Sequence, residues 1–287
     1  MSWLPTMMIP LILFAPTSAN VSCDPLIPGN PESCVRRACW DWTTMKPLEY
    51  SFCDTKKTAQ ERAEDIVRRL TLGEKQSLMT ARHSAPIDRL SIPEYDWGVN
   101  SIHGTQVACG EKCATNFPLP ASIGATFNMS LIRNLAHMMA VEQRALRLEH
   151  SYEKHRRLTD HATSAHLPDA TIGLDTWAPN INLNRDPRWG RNWEVATEDP
   201  FLGGQIGAAY AQGFQQGPDN SSALLGVITL KHWAAYTVET NRHGANSAVT
   251  PFDLMDSYLP AFKAAVIEGK AAGIMCSYNA LNGVPTW

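Results

Sequence analysis

The sequence predicts an α/β fold organised on a parallel sheet, and three observations carry that reading. From about residue 95 onward, apolar strand-like runs alternate with segments whose apolar residues recur at helical spacing. The clusters "NLNRDPRWGR", "KHW" and "SYNALNG" each follow the apolar part of a strand, where functional sites form in parallel α/β folds. With 287 residues, 44% hydrophobic content and a net charge of -3, the chain is an ordinary globular one that can bury a sizeable core. A balance this close to neutral gives no reason to expect nucleic acid or an anionic membrane as partner, and beyond the N-terminus no apolar run is long enough to span a bilayer.

At the N-terminus, "MSWLPTMMIPLILFAPTSAN" carries an apolar run from Met7 to Ala15, then Thr17 and Ala19 at the spacing of a secretory cleavage site. Residues 1–19 therefore read as a signal peptide of a secreted protein. A misplaced start or a buried N-terminal segment is the alternative, because a positively charged start is missing. Residues 20–57 are rich in Pro and Cys and read as a disulfide-tied extension. The seven cysteines suit an oxidising compartment. Cys109 is expected to bond Cys113, and Cys23, Cys34, Cys39 and Cys53 to pair among themselves. Cys276, inside a strand, is expected to be a free and buried thiol. Zinc is the rival reading of the cluster Cys23, Cys34, Cys39 and Cys53, but no two of these cysteines have C-x-x-C spacing and no histidine lies near them. Sequons at Asn20, Asn128 and Asn220 are compatible with secretion.

In "RAEDIVRRLTLGEKQSLM", Ala63, Ile66, Val67 and Leu70 form a helical stripe, and Thr71 with Glu74 is a capping-box pattern that opens a second helix. "FPLPASIGATF" reads as an extended segment ending in a turn. "SLIRNLAHMMAVEQRALRL" reads as a helix with Leu131, Leu135, Met138, Ala145 and Leu148 on one side. The polar segment 149–170, with four histidines at spacings unsuited to a helical metal site, reads as a surface insertion. "GLDTWAPNINL" is extended, "FLGGQIGAAYAQGFQQG" helical despite its glycines, and "LLGVITLKHW" a buried strand. Thr250, Pro251 and Asp253 supply an N-cap, a first-turn proline and a first-turn carboxylate for a helix that Pro260 is expected to kink, and "AGIMCSYNA" is one more strand.

The stretch "NLNRDPRWGRNWE" brings Arg185, Arg188 and Arg191 together with Trp189, Trp193, Asp186 and Glu194. A sugar ring has apolar faces and a rim of hydroxyls, which suits indole rings beside rigid donors such as guanidinium. A buried salt-bridge turn that only holds the loop is the other reading.

"NLNRDPRWGRNWEVATEDP", "TLKHWAAYTVE", "TPFDLMDSYLPAFKAAV" and "MCSYNALNGVPT", in that order, resemble the N-terminal barrel domain of glycoside hydrolase family 3, the β-glucosidases and β-xylosidases. "RAEDIVRRLTLGEK" resembles the family's opening helices. The resemblance implies a (β/α)8 TIM-barrel-like domain over residues 58–287, incomplete, with about five of roughly eight strands present. It implies that Arg191, Lys231 and His232 hold hydroxyls of the innermost sugar and that Tyr278 lines the same subsite. It also implies that the Lys231–His232 peptide is cis. Arg185, Asp186 and Arg188 are assigned to loop structure. Asn100 stands where the family usually has an acidic residue that binds sugar hydroxyls.

The activity implied is that of a retaining, exo-acting β-glycosidase acting on β-linked oligosaccharides, without metal or organic cofactor. No catalytic residue is assigned here. The resemblance puts the nucleophilic aspartate on a strand after "NGVPT" and the acid/base in a later domain. Both are therefore expected beyond Trp287, and this chain is expected to be inactive alone. The alternative is a catalytically inactive product that binds sugar or has no function. An inverting pair made of Asp186 and Glu194 fits poorly, since both sit in one loop.

Overall fold

The computed structural model describes residues 39–41, 46–79, 82–106, 113–159, 172–217 and 224–287. The expected signal peptide, Cys23, Cys34, Cys109 and the sequons at Asn20 and Asn220 lie outside them. Four strands, β1 (Gly98–Val99), β2 (Asp175–Thr176), β3 (Val227–Trp233) and β4 (Gly273–Cys276), lie side by side in that order, all parallel. Parallel neighbours need long crossovers, and each crossover here contains helix. Ahead of the sheet stand α1 (Ala59–Arg69) and α2 (Leu72–Leu78). Between β1 and β2 run α3 (Pro120–Gly124) and α4 (Met129–Thr159), and between β2 and β3 runs α5 (Pro200–Gln215). A short turn, α6 (Pro251–Asp253), leads through a π-helical segment, Leu254–Tyr258, into α7 (Pro260–Ile267) before β4.

Local chemistry explains most boundaries. Thr71 and Glu74 form the expected capping box on α2, and Thr58 with Glu61 forms another on α1. Asn128, one of the sequon asparagines, caps α4 by accepting the Leu131 N–H at 3.0 Å. Thr250 accepts the Asp253 N–H at 3.0 Å and so starts α6. Pro260 cannot donate to the preceding turn; the chain answers with a wider π turn, closed by Leu259 N donating to Leu254 O at 3.0 Å.

Packing corrects several expectations. Helix α4 buries Ile132, Ala136, Met139 and Ala140, whereas Leu131 and Met138 face outward. Apolar residues flank both sides of this helix, and the side that meets α5 and the sheet is rotated by one residue from the expected stripe. Val67 on α1 is likewise exposed, while Ile66 and Leu70 pack on Phe52, Ile87 and Leu90. "FPLPASIGATF" is not extended throughout: Pro120 opens the short helix α3. The first part of the polar segment, 149–159, continues α4, and the rest lies outside the described residues.

Helix α5 is buried nearly all round because it is made of small residues. A Cβ at Gly213 would sit 2.1 Å from the Arg133 carbonyl of α4, and one at Gly204 would sit 2.9 Å from Ala264 of α7. Cys39 and Cys53 form a disulfide with a Cα separation of 5.4 Å, and Cys113 is also disulfide-bonded. Cys276 is free as expected but exposed rather than buried: on β4 it alternates outward with Ile274, on a face that no other described element covers.

The register of α4 makes a sharp contrast in stability. Met139→Ala, at 0% exposure, should cost about 2–5 kcal/mol. Met138→Ala, at 55% exposure, should stay within about 0.5 kcal/mol of the parent. Urea unfolding of both variants reads the difference, and equal losses would contradict the observed face.

Candidate functional site

Strand β3 sorts its side chains by alternation. Ile228 and Leu230 enter the core beneath the helices, while Thr229 and Lys231 share the opposite face. On that face Thr229 donates to Asp175 of β2 at 2.6 Å, and Lys231 Nζ donates to Asn100 Oδ1, just after β1, at 2.9 Å. The Lys231–His232 peptide is cis, as the resemblance implied. The end of β2 continues alongside: Lys231 N donates to Pro179 O at 3.2 Å, and Ile181 N donates to Lys231 O at 3.0 Å. The chain leaving β2 is thereby held against Lys231 as it enters the Arg/Trp stretch.

That stretch divides into loop fastening and cleft lining. Arg188 closes on Asp186 through Nε at 2.9 Å and Nη2 at 2.8 Å, and Arg185 Nη1 donates to the Tyr258 hydroxyl at 3.0 Å. Trp189 is buried and donates its indole N–H to Glu239 at 3.2 Å. Arg191 turns the other way and grips Glu194 through two bonds, Nε to Oε1 at 2.8 Å and Nη2 to Oε2 at 2.6 Å. Its guanidinium carbon lies 5.7 Å from the centre of the Tyr236 ring. Arg185 and Arg188 tie the loop, and Arg191, paired with Glu194, faces a cleft.

Asn100, Arg191 and Lys231 line one cleft of about 490 Å³, together with His103, Gln106, Asn116, Trp193 and Glu194. It opens beyond the carboxyl ends of β1, β2 and β3. His232 and Tyr278 do not line it. His232 is buried behind, where its N–H donates to Asn182 Oδ1 at 2.9 Å and Asn182 Nδ2 donates to its carbonyl at 2.8 Å. The same Oδ1 lies 3.4 Å from His232 Nδ1. Tyr278 belongs to a neighbouring cluster with His243 at 4.6 Å between ring centres and Arg242 4.6 Å above its own ring. Tyr236 joins the two groups, its ring 5.2 Å from His232 and 6.1 Å from Tyr278. Trp287 is exposed and is not among the residues that line the cleft. It follows the short strand Val284–Pro285, which pairs with Ala280–Leu281 outside the four-stranded sheet.

The electrostatics follow from burial. Lys231 is 2% exposed, and desolvation draws its ammonium down to about 8, with Arg191 pushing the same way and Glu194 resisting. Desolvation and the cations Arg191, Lys231 and Arg242 hold His232 down to about 2, so its ring is neutral. Burial works against the charge on Arg191, but the Glu194 carboxylate outweighs it and raises Arg191 above its ordinary value. Glu194 is the carboxylate in this cleft, and both its oxygens are engaged by Arg191, with Asn180 Nδ2 a further donor at 3.4 Å. The cleft is therefore a set of fixed donors beside a neutralised ion pair. It suits a ligand rich in acceptor oxygens better than a metal ion.

Sequence reasoning missed the loop 236–243. Glu239 there accepts from the Tyr236 hydroxyl at 2.6 Å, Arg242 Nη1 at 2.7 Å and the Trp189 indole, and those donors keep it ionised against its partial burial. No spacing pattern in "YTVETNRHG" marks these residues.

Residues 160–287 match the profile of the glycosyl hydrolase family 3 N terminal domain. The chain is 38% identical to beta-xylosidase/alpha-L-arabinofuranosidase 2 of Medicago sativa subsp. varia, over 83% of this chain and 30% of that protein. It is 36% identical to the exo-1,4-beta-xylosidase bxlB of Emericella nidulans, over 85% of this chain and 31% of that protein. Among solved structures, a family 3 exo-beta-xylosidase in complex with a xylobiose aziridine activity-based probe superposes with a TM-score of 0.67 at 30% identity, covering 82% of this chain and 29% of that one. The chain thus spans about 30% of the length of the curated relatives it matches.

A buried ammonium bonded to an amide rather than to a carboxylate leaves a thermodynamic signature. Lys231→Met should be as stable as the parent at pH 7 or more so, because it removes the desolvation cost. The folded value of Lys231, about 8, lies below its ordinary 10.5. The unfolded chain therefore binds the extra proton between those values, and the parent gains stability as pH rises through that window. The gap between variant and parent should shrink from pH 8 toward pH 10.5, as read by thermal unfolding. Asn100→Asp should move the Lys231 titration upward, followed by NMR of the Nζ nitrogen, since it sets a carboxylate against the ammonium.

Proposed function

We propose that this chain, whose residues 160–287 match the glycosyl hydrolase family 3 N terminal domain, forms the sugar-holding part of a secreted, exo-acting, retaining β-glycosidase of the β-xylosidase type. Its strands β1 to β4 are a contiguous arc of a (β/α)8-type barrel that begins near residue 58. The observation that carries the reading is the convergence of Asn100, Arg191 and Lys231 on one cleft beyond the strand ends. Lys231 and Arg191 are charged donors that bind ring hydroxyls. Neutral His232 packs behind them, and Tyr278 lies in the neighbouring cluster with His243 and Arg242. The names of the relatives favour xylosides over glucosides as the substrate.

Retaining hydrolysis needs two carboxyl groups about 5–5.5 Å apart, one attacking the anomeric carbon and one protonating the departing oxygen. Glu194 is committed to Arg191, and Asp186 to Arg188. Neither is poised for attack, which also argues against the inverting pair. In this reading the described cleft orients the sugar, and neither Glu194 nor Asp186 acts as a catalytic carboxylate.

Calorimetry on the 287-residue chain should show D-xylose binding with a Kd in the millimolar range, about -4 kcal/mol. Lys231→Met should weaken it about tenfold or more, since a hydrogen bond to a charged group contributes about 1.5–3 kcal/mol. Aryl β-xyloside should not be hydrolysed. Turnover abolished by Glu194→Gln would contradict this division of labour.

A further inference from the structure

The sequon at Asn128 lies in the turn between α3 and α4, and none of residues 127–131 lines the cleft. Phe127 N donates to Gly124 O at 3.1 Å, and Asn128 N donates to Thr126 Oγ1 at 3.2 Å. Phe127 itself takes a left-handed backbone conformation, φ 51°, which bends the chain just before α4 begins. Asn128 then caps the helix, its Oδ1 accepting the Leu131 N–H at 3.0 Å.

That cap fixes the side-chain amide. The group is planar, so an oxygen committed to the helix end leaves Nδ2 turned away from it. Asn128 and Ser130 are both exposed, and neither Nδ2 nor the Ser130 hydroxyl has a hydrogen bond among the described residues. Beside them Phe127 is 71% exposed and Leu131 38%. This is apolar surface that a hydrated chain anchored at Asn128 would shield from water.

We propose that Asn128 is a covalent modification site whose Nδ2 receives an oligosaccharide as the chain passes through the secretory compartment. The donor class is a lipid diphosphate-linked oligosaccharide, and the acceptor signal is Asn128 with the Ser130 hydroxyl. Nδ2 bonds to the anomeric carbon of the donor's first sugar. The bond from that carbon to the diphosphate oxygen breaks, the lipid diphosphate leaves with the electron pair, and Nδ2 releases a proton. The product amide keeps its carbonyl oxygen, so the cap on the Leu131 N–H survives, and the glycan departs from the atom that already faces water. The proposal rests on the proposed secretion of the chain and not on the sugar-binding reading of the cleft.

The test is translation of the full chain with endoplasmic-reticulum microsomes. Export is read by protection from added protease, and modification by mass spectrometry of the Asn128 peptide before and after peptide N-glycosidase, which leaves aspartate where a glycan stood. The protected chain should show aspartate at position 128 only after the enzyme. Asn128→Asp and Ser130→Ala, which both keep a capping oxygen at position 128, should lose that site's mobility shift, and Ser130→Thr should retain it. A protected chain whose Asn128 peptide is unmodified overturns the proposal and leaves secretion standing, whether or not glycans are found at Asn20 or Asn220. A shift at this site that survives Ser130→Ala also overturns it. A chain that stays open to protease overturns the secretion reading and this proposal together.

Discussion

The ammonium of Lys231 is almost wholly removed from water, and the hydrogen-bond partner described for it is an amide, Asn100, rather than a carboxylate. A charge in such a place costs free energy that an ion pair would normally offset. The carboxylate that stands nearby, Glu194, is already gripped by Arg191, so the local charge is a second cation with its counter-ion spent. Lys231 is left with donor capacity and little to satisfy it. A ligand that brings hydroxyl oxygens and no charge completes this arrangement without upsetting the Arg191–Glu194 pair. The chemistry of the cleft depends on that imbalance.

Holding the imbalance requires backbone that does not yield. Past the end of β2 the chain goes on exchanging hydrogen bonds with β3, at Pro179, Ile181 and Lys231. Asn182 fixes both the N–H and the carbonyl of His232. On the far side of Arg191, Glu239 binds Trp189, Tyr236 and Arg242 at once and ties the arginine loop to the loop after β3. The small residues of α5 let that helix lie close against α4 and α7, which presses the sheet into a firm base for these loops.

Much of this was legible in the sequence where a single residue type enforces a single geometry. The Thr71–Glu74 box, the Thr250 cap and the apolar run before Lys231 are of that kind. Arg191 and Lys231 were legible through motifs whose residues fall at strand ends. The face of α4 was not legible, because Leu131 and Met138 are as apolar as Ile132 and Met139, and only the neighbours decide which pair is buried. Cys276 misled for a related reason: a strand position predicts alternation, not which side is covered. The distance of Tyr278 from the main cleft, and the role of Glu239, depend on loop paths that carry no periodic signal.

A crystal structure of the chain with bound D-xylose tests the central claim most directly. The account predicts a sugar in the cleft with hydroxyl oxygens within hydrogen-bonding distance of Lys231 Nζ and the Arg191 guanidinium, and the Arg191–Glu194 pair intact. A sugar seated elsewhere, or one in the cleft that leaves Lys231 bonded only to Asn100, would contradict it.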